Sequence, residues 1–280
     1  MLPSPNRSIA IVTGASGGLG LAIARAFINS GYDVIAIGRD EKRLAIASRK
    51  IAENTADASS AKGRVVPIAG DVTDAGSVKD VFRKITADFG RVDVLINCVG
   101  QSDRGSALTL TRERLVELLD SNVVSALLCS QAALPLLQQS RGVIVNVGSL
   151  ASKLGTRYLG AYPATKHALA GLTQQMRLEW LEYGVHVALF SPGPIKRVDA
   201  GNRYSELSTA TDIPAEALRP GAGASLAGLE PQWIADQVLR CVQRRSPDVI
   251  LPRYMRLMIT LWSLFPRLGD RILLAKTGKA

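Results

Sequence analysis

Short apolar runs alternate along the chain with longer amphipathic stretches. Each run is continuous, as expected for a strand buried on both faces of a parallel sheet. The predicted strands cover residues 9–12, 34–37, 65–68, 92–96, 143–147, 185–190 and 249–251, and the predicted helices lie near 18–30, 41–53, 75–89, 112–138, 160–183 and 231–243. This alternation predicts an α/β fold, a doubly wound parallel sheet of about seven strands with helices on both faces.

We expect one domain over residues 1–252, followed by an extension over 253–280. The segment 193–230 is rich in Gly, Ala, Pro and Ser and is predicted to be the loop that borders the substrate. Within the extension, the apolar stretch from Leu257 to Phe265 is much shorter than the roughly 20 residues that span a bilayer.

Two interpretations of the extension stay open. It is rich in basic residues, and Asp270 is its only acid. An apolar face with basic flanks is typical of a peripheral membrane contact, here through 254–275. The alternative is a helical segment that covers the substrate pocket or packs on a second subunit.

Composition and charge narrow the function class. The 280 residues are 47% hydrophobic and carry a net charge of +10, half of it in residues 230–280, where nine Arg/Lys face four Asp/Glu. No basic run is interleaved with aromatic residues, so we expect no nucleic-acid partner. Cys98, Cys129 and Cys241 lie far apart without metal-ligand spacing, and the start lacks a secretory signal pattern. We therefore expect no metal and a reduced, cytoplasmic setting.

A glycine-rich turn joins the first predicted strand to the first helix. It reads Thr13-Gly14-Ala15-Ser16-Gly17-Gly18-Leu19-Gly20. Glycines in such a turn let the backbone approach a pyrophosphate, and the helix N-terminus offers N–H groups to the anion. With its strand and helix in place, this turn predicts a Rossmann-like dinucleotide site at Gly14, Ser16, Gly18, Leu19 and Gly20.

The end of the second strand bears on the choice of cofactor. An acid there would bind the ribose 2′-hydroxyl of NAD, whereas an arginine suits the 2′-phosphate of NADP. Here Gly38 occupies that position and Arg39 follows. The sequence therefore favours NADP (NADPH) over NAD, with capping or solvation of the next helix as the alternative role of Arg39.

Tyr162 and Lys166 lie four residues apart, one helical turn, and therefore share a face. A nearby ammonium stabilises the phenolate of a tyrosine, which makes Tyr162 a usable proton donor and acceptor. Ser149 follows the apolar run 143–147, at the strand end where parallel sheets bind ligands. These residues are our catalytic candidates.

With these features the sequence resembles the short-chain dehydrogenase/reductase family, and its NADP-preferring members. Its apolar, basic extension is similar to that of members that act on lipids and steroids. The resemblance covers residues 8 to about 195 and continues more weakly to about 252. It is carried by the glycine turn, Asp71-Val72, Asn97-Cys98-Val99-Gly100, Asn122, Ser149, Tyr162, Lys166 and Pro192-Gly193.

The resemblance implies a role for each matching residue. Lys166 would hold the nicotinamide ribose, Ser149 the substrate oxygen, and Asn122 a water that relays protons to Lys166. Asn122 could also be a buried polar residue that forms hydrogen bonds within a kinked helix. Asp71 could instead cap the helix that begins near Ala75. The implied cofactor contacts are Gly14, Ser16, Gly18, Leu19, Gly20, Arg39, Asp71, Val72, Asn97, Gly100, Tyr162, Lys166, Pro192, Gly193 and Ile195.

The implied activity is an NADPH-dependent ketone/alcohol oxidoreductase, a carbonyl reductase that acts on a small-molecule, lipophilic substrate and forms a homo-oligomer. The alternative is a non-catalytic NADP-binding regulator or scaffold on the same fold. The sequence departs from the family pattern at two positions. Gly17 stands where many NADP-preferring relatives have a second basic residue, and Arg197 stands where a threonine is expected to hold the carboxamide of the nicotinamide.

Overall fold

The computed structural model describes residues 7–53, 63–196 and 227–276. All seven apolar runs form strands of one parallel sheet, in the order β3-β2-β1-β4-β5-β6-β7. The strands are β1 (Ile9–Thr13), β2 (Asp33–Gly38), β3 (Val65–Ala69), β4 (Val94–Asn97), β5 (Val143–Val147), β6 (His186–Ser191) and β7 (Asp248–Ile250). The predicted fold class is confirmed.

Helices cover both faces of this sheet. They are α1 (Gly18–Asn29), α2 (Glu41–Glu53), α3 (Ala75–Phe89), α4 (Arg112–Leu119), α5 (Ser125–Ser140), α6 (Tyr162–Glu179), α7 (Pro231–Arg244), α8 (Tyr254–Leu264) and α9 (Pro266–Lys276). Every residue of β1, β2, β4 and β5 is buried, which explains why these strands are apolar without alternation.

Two apolar layers hold the helices against the sheet. On one face, Phe27 of α1 and Val238 of α7 pack with Val12. On the other, Phe82 of α3, Leu137 of α5 and Trp180 pack with alternate strand residues such as Ile11. Because the order reverses between β1 and β4, a crevice opens at the carboxyl ends of these two strands.

The helical stretch predicted over 112–138 is not one regular helix. A π-helical turn over Asp120–Val124 separates α4 from α5. Hydrophobic periodicity cannot distinguish such a turn, since it inserts only a single extra residue into the helical ladder. Asn122 lies in this turn.

The C-terminal extension folds back onto the domain. Met255 and Ile259 of α8 pack against Leu150 and Ile250, and Pro266 begins α9. Within the described ranges, no helix is both long and apolar enough to cross a membrane. Most of the predicted loop 193–230, including Arg197, lies outside the described residues; a bridge between Ile195 and Leu229 joins its two described ends.

Candidate active site

A cavity of about 1370 Å³ lies at the carboxyl ends of the strands. It extends from the glycine turn to the two C-terminal helices. The predicted site residues that line it are Gly14, Ser16, Gly18, Leu19, Gly20, Arg39, Asp71, Val72, Gly100, Ser149, Tyr162, Lys166, Pro192, Gly193 and Ile195. The tertiary structure thus brings together residues from seven separate segments of the sequence.

The glycine turn is shaped by close backbone contact. Gly14 has a φ of +70°, in the left-handed region, and a Cβ at Gly20 would overlap the carbonyl oxygen of Gly14. Thr13 Oγ1 accepts hydrogen bonds from the N–H groups of Cys98 (3.0 Å) and Val99 (3.3 Å), which connects the turn to the loop after β4. The turn is therefore compact and leaves the first turn of α1 open to the cavity.

Two arginines stand at the rim beside this turn. Arg39 follows β2, and Arg43 lies one helical turn later in α2. The Arg43 Nη2 atom lies 3.8 Å from the point where a Cβ on Gly17 would be. The sequence pattern of the glycine turn does not indicate Arg43, because α2 supplies this basic side chain from another segment. Asp40, and not Arg39, caps α2, since its carboxylate accepts the Arg43 N–H at 2.9 Å.

Asp71 lies across the rim from Arg39. Their charged atoms are 3.7 Å apart. The Asp71 carboxylate also accepts hydrogen bonds from the N–H (2.9 Å) and hydroxyl (2.7 Å) of Thr73. Partial burial acts to raise the pKa of Asp71, but the Thr73 bonds and the Arg39 charge together hold that pKa below its ordinary value. Asp74, rather than Asp71, caps α3 through Ser77 N–H.

Ser149, Tyr162 and Lys166 meet on the cavity wall. Lys166 Nζ lies 5.8 Å from the centre of the Tyr162 ring, as the spacing on α6 predicts. The same ammonium donates a hydrogen bond to the carbonyl of Val147 at 2.9 Å, which fixes α6 to the end of β5. Ser149 is two residues further on, and its hydroxyl accepts the Ala151 N–H at 3.2 Å. The three catalytic candidates Ser149, Tyr162 and Lys166 therefore line the same cavity.

The ammonium of Lys166 is buried, with 4% of the residue exposed. Removal from water disfavours the charged form and lowers the pKa of Lys166 from 10.5 to about 8. Lys166 is therefore the strongly perturbed basic group on this wall. Perturbed ionisable groups in a cleft are typical of functional sites.

Two predicted residues lie behind the wall and do not line the cavity. Asn122 is buried in the π turn, where its amide donates to Gln101 O (3.0 Å) and Thr165 Oγ1 (2.9 Å) and its Oδ1 accepts Gln101 N–H (2.7 Å). Asn97, the last residue of β4, is buried, and its amide donates to Asn146 Oδ1 (2.8 Å) and Ser130 Oγ (2.9 Å). Both side chains brace the elements that carry the site.

Sequence reasoning missed one supporting residue, Asp103. Its carboxylate accepts the N–H of Ala161, directly before Tyr162, at 3.1 Å, and is held by Arg114 at 2.9 Å. Gly160, with φ +53°, leaves room for this carboxylate. Asp103 therefore positions the start of α6. Its only sequence signal is a lone acid in a loop, which is too common a feature to single out.

The far end of the cavity is mostly apolar. Its apolar side chains come from the segment after Ser149 and from α8 and α9, and Thr156 and Tyr254 of the same segments also line it; the apolar ones are Leu154, Leu159, Met255, Met258, Trp262 and Leu273. The C-terminal helices thus form part of the pocket wall, the second of the two interpretations of the extension. The first interpretation, a peripheral membrane contact, would involve the face of these helices that points away from the domain.

Comparison with known proteins agrees with this geometry. A family model described as short chain dehydrogenase matches residues 8–207. The chain belongs to the short-chain dehydrogenase family. It is therefore an NAD(P)-dependent oxidoreductase of that family.

Two curated relatives illustrate the range of this family. Oxidoreductase BOA17 of Botryotinia fuckeliana is 32% identical over 247 residues, covering 86% of this chain and 86% of the relative. Dehydrogenase/reductase SDR family member 7B of Danio rerio is 27% identical over 292 residues, covering 99% of this chain and 88% of the relative. Similarity to the second relative extends through the C-terminal helices.

Solved structures of the family share the fold. A variant of actinorhodin polyketide ketoreductase with NADPH has a TM-score of 0.75 at 22% identity, covering 90% of this chain and 97% of that one. An alcohol dehydrogenase from the archaeon Thermococcus sibiricus, complexed with 5-hydroxy-NADP, has a TM-score of 0.71 at 25% identity, covering 88% and 96%.

Proposed function

We propose that this chain is an NADPH-dependent carbonyl reductase that interconverts a lipophilic ketone and its secondary alcohol. The observation that carries the proposal is the single cavity that joins the glycine turn to the Ser149, Tyr162 and Lys166 group. Its volume of about 1370 Å³ exceeds the roughly 300–1,000 Å³ of a typical single-ligand pocket, which suits a dinucleotide together with a substrate.

The cofactor end fits a 2′-phosphorylated dinucleotide. The pyrophosphate would lie against the first turn of α1, where Gly14 and Gly20 allow close approach of the backbone. Arg39 and Arg43 would hold the 2′-phosphate, because planar guanidinium groups match a phosphate's acceptor oxygens. Two solved members of the family contain NADPH or an NADP derivative, which supports the same choice.

The residues at the other end fit proton transfer. Bound NADPH would supply the hydride to the carbonyl carbon. Tyr162 then donates its phenolic proton to the carbonyl oxygen, and Ser149 orients that oxygen by a hydrogen bond. Lys166 stabilises the phenolate that remains on Tyr162. Asn122 supports this group through Thr165 and Gln101, and its proposed role in a proton relay is carried over from the family.

The apolar side chains at the far end of the cavity, among them Leu154 and Leu273, favour a bulky, lipophilic substrate over a small polar one. A homo-oligomeric, cytoplasmic enzyme stays a prediction from the family resemblance and the sequence pattern.

Substitution of Tyr162 by Phe tests the proposal. Turnover of a lipophilic ketone should fall by at least about 10²-fold, the typical contribution of general acid catalysis. NADPH affinity, measured by fluorescence titration, should change little and should exceed NADH affinity in both proteins. A Tyr162→Phe enzyme with full turnover would refute the role of Tyr162, and a function that survives without turnover would favour the non-catalytic alternative.

A further inference from the structure

The outer side of the C-terminal helices carries a concentrated apolar surface. Of the fourteen exposed large apolar side chains in the described part of the chain, seven lie between Tyr254 and Leu274. We define the outer apolar face by five of them: Leu257, Leu261, Leu264, Phe265 and Leu268. Scattered exposed leucines are ordinary on a protein surface, but a contiguous patch of this kind marks an interaction site.

Helix geometry places three residues of this face on one side of a single helix. Leu257, Leu261 and Leu264 are spaced four and three residues apart and therefore lie on one side of α8. Met255 and Ile259, on the opposite side, are buried against the domain. α8 is thus apolar on two sides, and one of these sides packs against the domain core and lines the cavity.

The charged residues around this face indicate which kind of partner it binds. Four exposed arginines (Arg253, Arg256, Arg267 and Arg271) accompany it, against one exposed acid, Asp270. Arg256 also contacts the half-buried Asp248 at 3.9 Å, so the charge of this arginine is partly offset within the chain. Arg253 lies four residues before Leu257 and begins the same side of α8. Exposed leucines edged by arginines match a bilayer surface with anionic headgroups, where both interactions contribute to binding.

A second copy of the chain matches this face poorly. In a two-fold symmetric dimer the same patch meets itself, so the four arginines of each copy would face those of the other copy, with Asp270 and the Arg256 partner Asp248 to offset them. Like charges brought together in this way oppose association. The net charge of +10 further favours an anionic partner.

We propose that the outer apolar face docks the protein onto anionic lipid membranes. Tyr254 and Met258 of the same helix line the cavity, so docking would place the cavity's apolar end next to the bilayer. A lipophilic substrate could then enter from the lipid; this consequence, unlike the docking itself, rests on the proposed reductase function.

The test measures binding of the full chain to vesicles by co-sedimentation. The wild type should bind vesicles of phosphatidylcholine with phosphatidylserine more tightly than vesicles of phosphatidylcholine alone, and added salt should weaken binding. The variant L257S/L264S should bind at least about tenfold more weakly. The matched control is L178S/L181S, because Leu178 (68% exposed) and Leu181 (72%) are about as exposed as Leu257 (64%) and Leu264 (67%). This control should bind like the wild type.

A charge variant gives the second arm. Arg253→Gln and Arg271→Gln should each lower binding to the anionic vesicles about fivefold, the effect of one basic residue near such a surface. Absence of wild-type binding, or equal binding by L257S/L264S, overturns the proposal. A change from dimer to monomer in L257S/L264S, seen by light scattering, also overturns it in favour of a second copy. None of these readouts depends on reductase activity, so the two proposals fail separately.

Discussion

The buried ammonium of Lys166 makes a prediction about stability. Lys166→Met keeps an apolar chain of similar length in the same place and removes the charge. The pKa of Lys166 is lowered from 10.5 to about 8 by burial. At about 1.4 kcal/mol for each tenfold change in proton affinity, burial of the protonated lysine costs about 3 kcal/mol of folding free energy at pH 7.

The sign of the pH dependence follows from the direction of this change. The folded chain binds the Lys166 proton more weakly than the unfolded chain does. Between pH 8 and pH 10.5 the unfolded chain therefore holds more protons, and wild-type stability rises with pH through this window. The cost is fully present below about pH 8 and absent above 10.5.

The measurement is urea unfolding of the wild type and Lys166→Met at several pH values from 7 to 10.5. From the lower to the higher pH, the stability difference should shift by about 3 kcal/mol in favour of the wild type. Loss of the hydrogen bond to Val147 O contributes a nearly constant term of about 1 kcal/mol. Lys79→Met, which alters an exposed side chain of α3, is the control. A wild-type-minus-variant difference that stays constant within about 1 kcal/mol would refute a desolvated ammonium at this site.

Further substitutions at four positions probe the cofactor rim and the supporting residues. Arg39→Ser should weaken NADPH binding about tenfold in a fluorescence titration while NADH binding changes little, because one charge-assisted contact to the phosphate is lost; equal losses for both cofactors would contradict the assignment. Asp103→Asn should lower kcat several-fold with KM nearly unchanged, and Asp103→Ala should lower it further, since asparagine retains an acceptor for Ala161 N–H. A KM effect alone would place Asp103 outside the positioning of Tyr162. Gly100→Ala puts a Cβ 2.8 Å from Asn122 Oδ1 and should reduce turnover; combination with Asn122→Ala should cost less than the sum of the two single changes, and strict additivity would show that the clash is not there.

The order of strands and helices, and the main residue groups of the cavity, can be predicted from patterns that are local in the sequence. Continuous apolar runs mark β1, β2, β4 and β5 because these strands are buried on both faces. The glycine turn and the spacing of Tyr162 and Lys166 are equally local, since each depends on residues within one turn or one helix. These features were predictable from the sequence alone.

Other features depend on which segments meet in three dimensions. Arg43 reaches the glycine turn from α2, so the sequence of the turn itself, with Gly17 at the position concerned, does not indicate a basic side chain there. Asp103 supports α6 across a separation of 58 residues. Asn97 and Asn122 match a family motif, yet their amides face the interior, where buried polar groups must find partners.

The C-terminal extension shows most clearly which features the sequence determines and which the tertiary structure decides. Its sequence is apolar with basic flanks, which is compatible both with a segment that covers the pocket or packs on a second subunit and with a membrane contact. Composition cannot say which side of a helix packs against the domain. Packing of Met255 and Ile259 on Leu150 assigned one side of α8 to the protein interior and left Leu257 and Leu264 exposed. Sequence determined what each residue is able to bind, and the tertiary contacts decided what remains exposed to bind it.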